Sequence, residues 1–163
     1  MVKKILLFSL AALVIIQFFR PKLDNNSTAA NADNINNFAN VPADIDQALK
    51  TSCYDCHSNK TTYPWYASVQ PVGWWLQDHI NDGKKELNFD EFGSYTPRRQ
   101  YHKLEEIGDE VEHGEMPLPS YTIIHTNSKL SAEQKRQIVS WTEQLMNDMK
   151  AKYPIDSLVR KKG

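Results

Sequence analysis

The chain has 163 residues, nearly balanced charge (formal net −1) and two cysteines. That length supports one domain with a real core plus appendages. The charge balance argues against a nucleic-acid binder, which carries a basic stripe.

The N-terminus has the pattern of a targeting segment. Lys3 and Lys4 precede an apolar run from Ile5 to Phe19, which ends at Arg20-Pro21-Lys22. A basic n-region followed by an h-region is the pattern of a signal segment. No small-residue cleavage site follows directly, and Ala29-Ala30-Asn31-Ala32 comes late for one. We expect a signal anchor over 1–22, with a cleaved signal peptide as the alternative. The run is short against the roughly 20 residues of a span, although flanking Lys and Arg can snorkel. The next stretch, 23–40, is rich in Asn, Ala, Asp and Ser and has no apolar period. It reads as a flexible linker.

The domain is expected over 41–153. Pro42 suits a first helical turn, and Ile45, Ala48 and Leu49 then share a face up to the first cysteine. Ser58 to Tyr66 reads as a loop that becomes aromatic around Pro64. Pro71 opens a helix carrying Val72, Trp75, Leu76, His79 and Ile80 on one face, with Gly83 as its stop. One helical turn is expected at Phe89 to Phe92. Thr96-Pro97 is an N-cap and N1 pair. Behind it Tyr101, Leu104, Ile107 and Val111 make a face that Gly114 ends. Glu115 to Pro119 is expected to be extended. Ser131 to Gln134 forms a capping box, and Ile138, Trp141, Thr142, Leu145 and Met149 trace the last helix before Tyr153-Pro154. A basic tail, 154–163, closes the chain. No strand pattern is strong, so the fold class expected is all-α.

The two cysteines fall at Cys53-Tyr54-Asp55-Cys56-His57, a C-x-x-C-H motif. This is the attachment spacing of c-type haem. Two thiols three positions apart on one helical turn can each add to a vinyl group of the same porphyrin. The adjacent His57 then supplies an axial nitrogen. A thioredoxin-like pair would need a βαβ setting, which is not visible. A zinc site would need a second ligand pair, and His79, His102, His113 and His125 are scattered. A chance match in a structural turn is the remaining alternative. Haem attachment of this kind occurs outside the bacterial cytoplasmic membrane, so the domain is expected on the periplasmic side.

For the second axial position Met116, in Gly114-Glu115-Met116-Pro117, is the first candidate. A thioether ligand raises the reduction potential, and Pro117 stiffens the backbone beside it. His79, His125 or an open position are the alternatives, and a loop methionine packed on a ring is the bland one. Trp65, Tyr66, Trp74 and Trp75 are expected to wall the cofactor, with ordinary core packing as the alternative. Tyr63, Arg98 or Arg99 are candidates to bond its carboxylates, with a solvated surface as the favoured alternative for the two arginines. The His57 ring N–H would donate to a carbonyl in 63–71.

Early C-x-x-C-H, then G-x-M-P, then a capped helix with an inward Trp together resemble the class I cytochrome c plan. There the first and last helices cross near the haem edge and the methionine is the distal ligand. The chain is more narrowly similar to the bacterial haem-binding domain proteins. The stretches that carry this are Cys53 to Asn59, Tyr63 to Tyr66, Pro71 to Leu76, His79 to Lys84, Leu87 to Phe89 and Gly114 to Leu118. The insert between the haem motif and Met116, rich in Trp and Tyr, departs from the simplest cytochrome c.

The expectation is a membrane-tethered c-type cytochrome with one covalent haem c, held by Cys53, Cys56, His57 and Met116. It would pass single electrons between redox partner proteins of the membrane or periplasm. No G-x-S-x-G, P-loop or H-E-x-x-H motif is present, so an electron carrier is expected rather than an enzyme. A peroxidase-like haem enzyme using His79 and a haem-based sensor module are the alternatives.

Overall fold

A computed structural model describes residues 1–23 and 32–159. All regular structure among these residues is helical. Helix α1 (Val2–Ile16) buries none of its side chains. At 1.5 Å per residue its 15 residues rise about 22 Å, less than the roughly 30 Å hydrocarbon core of a bilayer. Among the described residues no helix is long and apolar enough to cross a membrane, so the spanning signal anchor expected over 1–22 is not supported.

The domain starts earlier than the composition suggests. Helix α2 (Ile35–Phe38) lies in the stretch read as linker, and Ile35 is fully buried. Asn34 caps α2 through the Asn36 N–H and donates to Asp90 Oδ1 at 2.7 Å. A polar composition hid one apolar anchor and two side-chain bonds, which suffice to order a short segment. The rest of the expected linker, 24–31, with the late alanines Ala29 and Ala30, lies outside the described residues.

Helix α3 (Ala43–Ser52) buries Ile45, Ala48 and Leu49 as the periodicity requires. Cys53 caps its C-terminal end and opens the single turn α4 (Tyr54–His57), which carries the rest of the motif. A 3-10 turn at Trp65–Ser68 leads to α5 (Val72–Glu86). This helix passes through Gly83 instead of stopping there. The apolar positions after it, Phe89 and Phe92, are buried, and the expected turn falls slightly later, at Phe92–Ser94.

Helix α6 (Pro97–His113) has the Thr96 cap and the Pro at its start, and Gly114 ends it in the left-handed conformation at φ 78°. A residue with a Cβ is strained there. Helix α7 (Pro119–Ile124) follows at once, so the extended segment expected through Pro119 ends a residue early. Helix α8 (Ala132–Lys152) opens with both bonds of the Ser131–Gln134 capping box. The supposed tail contributes α9 (Ile155–Leu158), where Leu158 is buried and the Asp156 carbonyl accepts from Arg98. The basic residues Arg160, Lys161 and Lys162 lie outside the described residues.

The core is built where α6 packs along α8. Leu104, Ile107 and Val111 meet Ile138, Trp141 and Met149, with Leu49, Phe89 and Phe92 closing one side. Leu104 has no exposed surface. Replacing it with alanine leaves a cavity and is expected to cost about 2–5 kcal/mol. Chemical denaturation followed by far-ultraviolet circular dichroism measures this; a loss under ~1 kcal/mol would show that α6–α8 packing does not carry the fold.

Candidate functional site

The motif turn is clamped by the C-terminal end of α5. His57 Nδ1 lies 3.0 Å from the Gly83 carbonyl oxygen and 3.1 Å from that of Leu87. Two acceptors face this nitrogen, so it carries the proton and donates. The other nitrogen, Nε2, therefore keeps its lone pair, the state a metal-ligating histidine needs. The Phe89 N–H donates to the His57 carbonyl at 2.8 Å. The acceptors thus come from 83–87 rather than from the 63–71 loop. Burial holds His57 below the ordinary imidazole pKa, partly offset by the two carbonyls.

Gly83 allows this approach. A Cβ built there would lie 2.9 Å from the Cys56 carbonyl oxygen. The glycine is a close-contact position between α5 and the motif, not a helix stop, because only a residue without a side chain lets the two backbones meet.

Met116 reaches the same place from the far end of α6. The left-handed Gly114 folds the chain back, and the Glu115 and Met116 N–H groups both donate to the Glu110 carbonyl. A cavity of about 250 Å³ lies between these elements. Cys53, His57 and Met116 line it together with Leu87, Phe89, Ile107, Val111 and Pro117. Lys103 is the cation of the lining and bonds Glu106 at 2.5 Å and Glu86 at 3.3 Å. Glu110 lines it as well. A largely apolar wall that offers one imidazole and one thioether suits an axially ligated porphyrin.

Cys56 does not line that cavity. It packs with Ala67, Leu76 and Ile80, beside Tyr63 and Tyr66. Burial pushes the Cys53 thiol up to about 12, helped by Cys56, and the Cys56 thiol up to about 11, helped by the Asp55 carboxylate. Both cysteines are free. A thiol raised in this way is the opposite of a thioredoxin-type nucleophile. Among the described residues no group of three or more His, Cys, Asp or Glu is placed to hold a metal ion, so zinc has no ligand set here.

Other expected residues stand elsewhere. His79 sits on Trp75 with ring centroids 4.2 Å apart, and its Nδ1 meets the Trp75 carbonyl. His125 pairs with the Tyr66 hydroxyl at 2.6 Å and stacks on Tyr121. Neither histidine lines the cavity. Trp65, Trp74 and Trp75 are exposed and Tyr66 packs on the far side of the turn, so none of the four walls it. Arg98 donates to the Asp156 carbonyl, Arg99 to the Lys85 carbonyl and Tyr63 to Gln77. Asp55 lies inside the motif but no sequence signal marks it. Its carboxylate accepts the Tyr121 hydroxyl at 2.7 Å and the Thr62 N–H at 3.1 Å, which ties α7 and the following loop to the turn.

The raised thiols make a measurable statement. In haem-free chain, alkylation of Cys53 and Cys56 near pH 8 should be at least ~100-fold slower than in the unfolded chain. Thiols that titrate at about 11 and 12 hold that much less thiolate there than ordinary ones. The rate should still be climbing above about pH 9, where an ordinary thiol levels off. Gly83→Val should lower stability by roughly 1–3 kcal/mol and bring Cys56 alkylation toward the unfolded rate. Unchanged alkylation in Gly83→Val would show that α5 does not hold the motif.

The family model described as haem-binding domain matches residues 11–144. No curated protein and no solved structure matches the chain significantly. The match spans the motif turn, α5, α6 and the Met116 loop, which are the elements that meet at the cavity. The chain belongs to the haem-binding domain family.

Proposed function

We propose that the chain is a c-type cytochrome, attached to a membrane through its apolar N-terminal segment and passing single electrons on the periplasmic side. The observation that carries this reading is the convergence of Cys53, His57 and Met116 on one apolar cavity, with His57 Nδ1 already engaged by backbone. Bound haem supplies a one-electron ferric/ferrous couple.

The residues of the chain set the terms for that couple. The Gly83 and Leu87 carbonyls fix the His57 tautomer and raise the basicity of Nε2. Met116 offers a soft, weakly donating sulfur, which favours the reduced iron. Leu87, Phe89, Ile107, Val111 and Pro117 keep water out, which acts in the same direction. Glu86, Glu106 and Glu110 against the single Lys103 leave net negative charge on the lining, which opposes both effects by favouring the extra positive charge of the oxidised iron. A haem carboxylate would meet Lys103, not Arg98 or Arg99. Covalent attachment through Cys53 and Cys56 would require Cys56 to turn from its apolar cluster toward the cavity that Cys53 lines.

A peroxidase-like site would need a proton-handling histidine on the second face. His57 is the one histidine among the described residues that lines the cavity, so six-coordinate electron transfer is favoured over that reading.

Intact mass of the chain, matured in a host that attaches c-type haem and then denatured, should show a gain of one haem. Cys53→Ala combined with Cys56→Ala should abolish the gain. A folded chain of unmodified mass would sink the proposal. In the matured protein, Met116→His should lower the reduction potential by on the order of 100 mV, measured by redox titration. Met116→Ala should admit carbon monoxide to the reduced iron, read as a shift of its visible spectrum.

A further inference from the structure

Two apolar features of the chain are joined to each other. Helix α1 exposes apolar side chains on every face, with Ile5, Leu6, Leu7 and Phe8 each more than 60% exposed. Its C-terminal end is hydrogen-bonded to the start of α5. The Gln17 side-chain amide donates to the Gln70 carbonyl and accepts the Gln70 N–H, both at 2.9 Å. The Trp74 indole N–H donates to the Phe19 carbonyl at 2.6 Å.

The segment where α1 is tied presents an unusual surface. Trp65 is 81% exposed, and Val69, Val72, Trp74 and Trp75 are exposed as well. Tryptophans are expensive to leave in water and belong at membrane–water interfaces, where the indole body is apolar and its N–H is wet. Arg20 and Lys22 follow α1 and are exposed, in position for lipid phosphates. Asp78 and His79, one turn further along α5, begin its polar part.

We infer that the Trp65–Trp75 segment is a docking surface for the lipid bilayer itself, continuous with α1, which lays the domain on the membrane instead of leaving it on a free tether. The occupant is lipid rather than a protein groove partner, because the face is contiguous by hydrogen bonds with a helix that itself needs an apolar surround on all sides. Helix α5 then joins the membrane face, at Gln70, to the haem site, at Gly83 and Leu87, a separation of about 20 Å along its axis. The docking would fix how the cavity is presented to redox partners. The inference rests on the membrane attachment proposed above.

The test uses the full, haem-loaded chain in vesicles of phosphatidylethanolamine and phosphatidylglycerol that carry a lipid with a photoactivatable diazirine in its acyl chain. Flotation reports attachment, and peptide mass spectrometry maps the adducts. Adducts on the Trp65–Trp75 peptide as well as on α1 are the expected result. Trp65→Ser combined with Trp75→Ser should lose most adducts on that peptide while the chain still floats. Both residues are exposed, so their replacement leaves the core intact. A chain that floats with adducts confined to α1 overturns the docking surface and leaves the attachment standing, also where cross-linking shows the face paired with a second copy. A chain that does not float overturns the attachment and the docking surface together.

Discussion

The pairing of His57 Nδ1 with the carbonyls at the end of α5 is the constraint on which the site depends. A histidine ligand is useful to a metal only if its tautomer and ring orientation are set in advance. Here two backbone oxygens do both, and the Phe89 N–H holds the His57 carbonyl from the other side. The motif turn is only four residues long and has no stability of its own. It is held because α5 lies against it, and α5 can do so because position 83 has no side chain.

The remaining elements complete the cavity. Packing of α6 on α8 supplies the rigid core, and Gly114 turns the chain at the end of α6 so that Met116 reaches the cavity. The apolar lining is part of the same core, since Leu87, Phe89, Ile107 and Val111 belong to both. Stability and cofactor environment are therefore not separable in this fold. A substitution in the lining changes the packing of α6 as well as the dielectric of the cavity.

The aromatic residues divide the molecule differently from what their number suggests. Trp65, Tyr66, Trp74 and Trp75 read as a cofactor wall, yet Phe89 is the aromatic residue that lines the cavity, and Trp141 alone among the tryptophans is in the core. Trp65, Trp74 and Trp75 face outward beside the end of α1. Placed so, they serve the proposed orientation on a lipid surface, with α5 linking that surface to the proposed haem site.

The sequence by itself determined the elements whose signals are local. The α6 and α8 caps, the Gly114 stop, the apolar faces of α3, α6 and α8, and the C-x-x-C-H spacing all follow from contacts within a few residues. The haem-binding class was also legible in the sequence, and the family match over residues 11–144 bears it out. Only the tertiary structure decided what depends on distant partners. It showed that Gly83 is a contact rather than a stop, and that Ile35 and Leu158 anchor segments whose composition reads as linker and tail. It put Lys103 on the lining and left Arg98 and Arg99 outside, and it turned the tryptophans outward. Helical periodicity says which residues share a face, but which face meets the cofactor, the core or solvent is set by packing between elements far apart in the chain.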